Sequence, residues 1–136
     1  MGKLLAVDYG TVRIGYAMSD EDQTMAFPRG ALSSKPEKEL FEMLRKVIFD
    51  EKVEKIIIGV PLGKENEPTP LSEKIKKWGG RLAQFCGVTT EYIDEFHSSD
   101  EALMKIPLKK DRKNKEKGLR DAIAAQIILE RYISRI

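Results

Sequence analysis

Two short apolar runs, Leu4-Leu5-Ala6-Val7 and Ile56-Ile57-Ile58, stand without polar interruption between turn-forming neighbours. Uninterrupted runs of this length mark strands buried on both faces, so the pattern predicts two neighbouring strands in the middle of a sheet. Ile14, Tyr16 and Met18 alternate with smaller or polar residues after the Tyr9-Gly10-Thr11 turn. That alternation predicts a half-buried strand returning antiparallel to the first. Ser19-Asp20-Glu21-Asp22 turns the chain again, and Met25 to Leu32 reads as a third strand. Pro28 cannot donate to a ladder, which places this strand at a sheet edge.

The apolar period then changes from two to that of a helix. Leu40, Phe41, Leu44, Val47 and Ile48 fall on one helical face, and Ser34 with Glu37 has the spacing of a capping box at its start. After the Ile56 strand, Gly59-Val60-Pro61-Leu62-Gly63 opens a polar loop. Thr69-Pro70 then puts a cap and a first-turn proline in their favoured order, so a second helix starts there and ends near Gly87. Val88 to Asp94 predicts a further parallel strand of mixed polarity, nearer the other edge, and Ser98 with Glu101 marks a short capped helix. A last helix, beginning around Gly118 to Arg120, carries Ala125, Ile128, Leu129 and Tyr132 as its apolar stripe. Three strands in hairpins followed by helix, strand, helix, strand, helix describe an α/β domain with a mixed sheet.

Composition narrows the chemistry. A chain of 136 residues suits one domain, residues 1–136, with a core that needs no disulfide or structural metal. Cys86 and His97 are the only soft ligands, which excludes a Cys/His zinc site and an internal disulfide. Cys86, following Leu82, Ala83 and Phe85, reads as a small buried hydrophobe. The first apolar run stops at Asp8, too short for a signal peptide or a membrane span, so a cytoplasmic protein without membrane contact is expected. A net charge of +2 says little, but Lys105, Lys109, Lys110, Arg112, Lys113, Lys115 and Lys117 crowd one segment against Asp111 and Glu116. Such a run either neutralises nucleic-acid phosphates or is a solvated loop.

Acidic residues carry the candidate chemistry. Asp8 ends a fully apolar strand, which brings its carboxylate to the rim where α/β sheets hold ligands. The bland alternative is a carboxylate capping its own turn. Asp121 shares its helical face with Ala125, Ile128 and Leu129, so it points inward, although an acid in the first turn could simply complement the helix dipole. Asp94 and Glu95 end the last parallel strand, where alternation lets one of them join the site, and Glu95 has the longer reach. Three clustered carboxylates repel unless hard cations compensate them, and oxygen donors select Mg²⁺ or Mn²⁺. Arg13, close to Asp8, is a candidate phosphate contact, with Lys109, Lys110, Arg112 and Lys113 behind it. Trp78 lies near Ile75 and Leu82 and reads as core.

Three stretches together carry a resemblance: Asp8-Tyr9-Gly10-Thr11-Val12-Arg13-Ile14-Gly15-Tyr16-Ala17-Met18-Ser19-Asp20, Gly59-Val60-Pro61-Leu62, and Lys117-Gly118-Leu119-Arg120-Asp121-Ala122-Ile123-Ala124-Ala125. Over nearly its whole length the chain resembles the YqgF/RuvX family, described as Holliday-junction resolvases and as nucleases maturing 16S ribosomal RNA precursors. The resemblance implies an RNase H-like fold, a five-stranded mixed sheet of three antiparallel and two parallel strands with helices on both faces. It also implies metal-dependent cleavage of an rRNA precursor or of branched DNA by a monomer or homodimer. Where the family usually has Asp-Glu-Arg before a Ser/Thr pair, this chain reads Asp94-Glu95-Phe96-His97-Ser98-Ser99. The missing arginine keeps a second reading open, a module that grips nucleic acid without cutting. A third, Asp8-x-Gly10-Thr11 as the phosphate loop of an actin-like ATPase or sugar kinase, conflicts with the chain's length, because those folds close two such domains around a nucleotide.

Overall fold

Strand β1 (Lys3–Asp8) sends Leu5 and Val7 to one side of a sheet and Leu4 and Ala6 to the other, and all four are buried. This alternation divides the interior into two cores. A computed structural model describes residues 2–61, 67–94 and 113–135, with the backbone alone for 113–116. The remaining strands are β2 (Arg13–Ser19), β3 (Ala26–Ser33), β4 (Val53–Val60) and β5 (Thr89–Asp94). They form one five-stranded sheet in the order β3-β2-β1-β4-β5, antiparallel across β3, β2 and β1 and parallel from β1 through β4 to β5. This is the sheet the sequence predicts, with the Pro28 strand at one edge.

Helices α1 (Glu37–Glu51) and α2 (Pro70–Cys86) cover the Leu5–Val7 face with Leu40, Phe41, Leu44, Ile48, Ile75, Trp78 and Leu82. Helix α3 (Lys113–Ser134) covers the other face with Ala125, Ile128 and Leu129. The two faces are lined differently. Toward α1 and α2 the sheet presents large residues such as Leu5, Ile14, Met18, Ile56 and Ile58, whereas toward α3 it presents Leu4, Ile57 and Ile93 together with the small Ala6 and Ala17 on β1 and β2. Small residues let α3 lie close, and the sequence reading of β2 fails for this reason. Gly15, Ala17 and Ser19 are buried under α3 as completely as Ile14 and Met18 are on the other side, so β2 is buried on both faces.

Local signals fare unevenly. Thr69 caps α2 through a reciprocal box with Ser72, and Gly87 closes it in the left-handed region at φ 73°. By contrast, α1 starts after Pro36 with no side-chain cap, and Ser34 serves elsewhere. The α3 helix begins at Lys113, five residues before the expected start, because charged residues with no apolar stripe are still good helix formers. The expected short helix at Ser98 lies outside the described residues. Cys86 packs at the margin of the first core, and burial pushes its thiol up to about 11, the behaviour of a hydrophobe rather than a nucleophile. Among the described residues no helix is long and apolar enough to cross a membrane.

At Gly15 the sheet and α3 meet through backbone. A Cβ there would fall 2.0 Å from the carbonyl oxygen and 2.2 Å from the carbonyl carbon of Asp121, both backbone atoms that cannot rotate away. Gly15→Ala therefore pushes α3 off the sheet and is expected to cost about 2–3 kcal/mol in urea denaturation. Gly80→Ala is the control: its Cβ would meet nothing within 4 Å on α2, so helix propensity should raise stability by about 0.5–1 kcal/mol.

Candidate active site

The β1–β2 register sets Asp8 opposite Gly15. Opposed residues of an antiparallel pair share a face, and Asp8 has the parity of Leu4 and Ala6, so its side chain belongs to the α3 side of the sheet. The place a Gly15 side chain would take is filled by Asp121, whose Cβ lies 2.8 Å from the Cβ that Gly15 lacks. Because opposed Cβ atoms sit about 5 Å apart, the Asp8 and Asp121 side chains start no more than about 8 Å from one another. Two carboxyl groups 113 positions apart in sequence thus meet at one rim. Arg13 has the parity of Gly15 and Ala17 and joins them: its Nε donates to Asp121 Oδ2 in a half-buried ion pair, the side chains 35% and 26% exposed.

The depth of Asp121 within α3 decides between its two readings. It lies eight residues beyond Lys113, more than two turns inside the helix. A helix dipole acts within the first turn, so it does not account for an acid at this position.

The turn joining Asp8 to Arg13 is fixed on several sides. Tyr9 packs edge-on against Trp78, ring centroids 5.2 Å apart, and Trp78 in turn against Phe41 at 5.7 Å. Ser34 Oγ donates to the Gly10 carbonyl at 2.6 Å, while its backbone N–H donates to the Val12 carbonyl at 2.9 Å. A Cβ on Gly10 would fall 2.2 Å from the Arg13 carbonyl oxygen, so the glycine serves the closure of the turn itself rather than the approach of a ligand. Sequence reading assigns Ser34 to a helix cap and misses this brace. Local spacing identifies a serine with a cap's neighbours, but only the tertiary fold brings residue 34 against residues 10 and 12.

The other candidates divide. Along β5, Ile93 belongs to the α3 face and Tyr92 to the opposite one, where its hydroxyl donates to the Lys76 carbonyl of α2 at 3.1 Å. Asp94 has the parity of Tyr92, so its side chain leaves the sheet on the side away from Asp8 and Asp121. Its backbone is tied across the sheet end, the carbonyl accepting from Arg131 at 3.3 Å. Glu95, Lys109, Lys110 and Arg112 lie outside the described residues, and Lys113 opens α3 without a described side chain. Arg120, beside Asp121, was legible only as part of a motif. Its Nε is buried with no hydrogen-bond partner among the described residues, a donor that an anion can satisfy.

Chemically, the rim offers hard oxygen donors and a guanidinium. Asp8 and Asp121 are the kind of ligands Mg²⁺ and Mn²⁺ take, so they fit two positions of such an ion's shell. Among the described residues no third acid, His or Cys completes a group of three.

Comparison with known proteins places the chain in a family. The family described as RuvX, Holliday junction resolvase, matches residues 2–135. A protein of Maridesulfovibrio salexigens named "Putative pre-16S rRNA nuclease" is 36% identical over 136 residues, covering 98% of each chain. One of the same name from Bacteroides fragilis is 35% identical over 138 residues, covering 98% of this chain and 96% of its own. Among solved structures, Thermus thermophilus RuvC in complex with a Holliday junction substrate superposes with a TM-score of 0.57 at 12% identity, covering 99% and 96% of the two chains. The fowlpox virus resolvase with its Holliday junction DNA gives 0.58 at 14%, covering 98% and 97%. These two likenesses establish the RNase H-like resolvase fold, and the match over residues 2–135 establishes that the chain belongs to the RuvX family of Holliday junction resolvases.

Proposed function

We propose that this chain, acting as one domain over residues 1–136, is a metal-dependent endonuclease that hydrolyses phosphodiester bonds at the 5′ end of the 16S rRNA precursor. The convergence of Asp8 and Asp121 on one face, enforced by Gly15, carries the reading. Asp8, Asp121 and Glu95 hold Mg²⁺ or Mn²⁺. Glu95 takes the third place because Asp94 belongs to the far face of β5. When bound, such ions lower the pKa of a water and stabilise the oxygen that leaves the phosphorus. The chain's own part is positional. Asp8 stands on a central strand and Asp121 on a packed helix, so neither carboxylate has to be ordered when substrate arrives. Arg13 faces the scissile phosphate. Lys109, Lys110, Arg112 and Lys113 hold the flanking strand by neutralising its phosphates, which makes affinity fall with salt.

The names of the relatives support an rRNA precursor. A four-way DNA junction is the second reading, favoured by the family's description. The two differ in assembly: symmetric cutting of a junction needs two sites and hence a homodimer, whereas trimming one RNA end needs one.

Parallel cleavage of a 16S precursor and a four-way junction, with Mg²⁺ and with Mn²⁺, tests both. The precursor should be cut, and Asp8→Asn and Asp121→Asn should each slow cleavage by at least about a hundredfold. Their folding stability should stay within about 1 kcal/mol of wild type, because half-exposed ion pairs contribute no more than that. Undiminished cleavage by both variants refutes the reading. Junction cutting beside an intact precursor moves the substrate to branched DNA, and tight binding by wild type without cleavage of either makes the chain a non-catalytic module.

Ser34 offers a second check. Ser34→Ala removes the brace on Gly10 and should reduce kcat about tenfold through misplacement of Asp8 and Arg13, while Ser34→Thr, which keeps the hydroxyl, should retain activity. Melting curves measured beside the kinetics separate this from loss of fold.

A further inference from the structure

Asp121 is a proposed metal ligand, and its carboxylate already has a cation on it. The Arg13 guanidinium is bound to Oδ2, and both side chains are only partly exposed, so solvent screens the pair incompletely. The pair is also imposed by the fold. Arg13 stands at the start of β2, two residues from Gly15 on the same face, and Gly15 is where the Asp121 backbone rests. The same face carries Asp8, directly across from Gly15. Two carboxylates on one face of the rim repel each other, and Arg13 offsets part of that cost at Asp121.

Resting on the metal-dependent reading above, we propose that Arg13 is the resident counter-ion of this site, which a divalent ion must displace from Asp121 in order to bind. A guanidinium keeps its charge throughout the physiological pH range, so the competition is not relieved by protonation changes. It is relieved by another anion. A substrate phosphodiester that draws Arg13 onto itself uncovers the Asp121 carboxylate, so substrate and metal favour each other's binding by the same factor. Arg13 is then a positioning residue as well as a phosphate contact: it links occupation of the metal site to the presence of the strand to be cut.

Mn²⁺ binding to the full chain, measured by electron paramagnetic resonance in the absence of nucleic acid, tests this without any activity assay. Arg13→Gln should bind Mn²⁺ about fivefold more tightly than wild type. Its metal-free form should melt lower, and Mn²⁺ should raise its Tm by more than it raises that of wild type. Arg13→Lys, which keeps a cation at the position, should stay near the wild-type affinity, and it keeps the comparison open should the Gln variant fold poorly. Unchanged or weaker Mn²⁺ binding by Arg13→Gln, while Asp121→Asn abolishes binding, overturns the counter-ion role and leaves the metal site standing. Absence of Mn²⁺ binding in both wild type and Arg13→Gln overturns the metal-dependent reading, and the counter-ion role falls with it.

Discussion

Helix α3 touches the sheet through backbone at Gly15, and the position of every group at the rim follows from that contact. A helix normally stands off from a sheet by the length of the side chains between them. Here the sheet offers Ala6, Gly15 and Ala17 under α3, so the helix settles until its own peptide at Asp121 fills the missing side chain. On the opposite face β1 and β2 place Leu5, Val7, Ile14 and Met18 under α1 and α2 instead. The asymmetry matters because a carboxylate from a remote helix reaches a strand carboxylate only if the layers come close. Contact through backbone also leaves little freedom for sliding: the peptide plane has no rotamers, and interiors at crystalline packing density resist displacement.

Bringing two acids together this way works against stability, and the molecule offsets the cost locally. Arg13 binds Asp121, and both remain partly exposed at the end of the sheet rather than sealed within it. A fully buried site would strengthen the repulsion by lowering the dielectric, while a fully exposed one would lose pre-organisation to solvent and side-chain entropy. The rim lies between these limits. Beneath it, the Asp8–Arg13 turn is held by Tyr9 on Trp78 and by Ser34 on two carbonyls, so rigidity is supplied by neutral contacts that do not add to the charge.

Much of this was legible in the sequence, and the failures share a cause. The uninterrupted runs Leu4–Val7 and Ile56–Ile58 identify the central strands because they are short and bounded by turn-forming neighbours. Pro28 identifies an edge, and Thr69-Pro70 a helix start, for equally local reasons. Gly15, Ala17 and Ser19 misled because small residues have the same pattern whether they face water or a closely laid helix. Periodicity puts the start of α3 late because residues 113 to 117 have helix propensity without an apolar stripe. Spacing makes Ser34 a cap because its bonds to residues 10 and 12 depend on folding that spacing does not encode. The sequence brings Asp8 to the sheet rim and turns Asp121 inward, whereas their common face follows only from the register that pairs Asp8 with Gly15.

That register also constrains what can complete the site. The neighbour of β1 on its other side is β4, where Val7 pairs with Ile58 and the next position, Gly59, has no side chain to contribute. On the proposed reading a third acid has to come from beyond the end of β5, a strand two spacings or about 10 Å from β1. Asp94 is excluded by its parity, and a short side chain would in any case fall well short of a carboxylate based on β1. What two strands of separation demand is a long side chain on the α3 face, or an ion large enough in its hydrated shell to be shared across the gap. Glu95, the acid next along the chain from Asp94, has the opposite parity and the longer side chain, which is why the proposed reading gives it the third place.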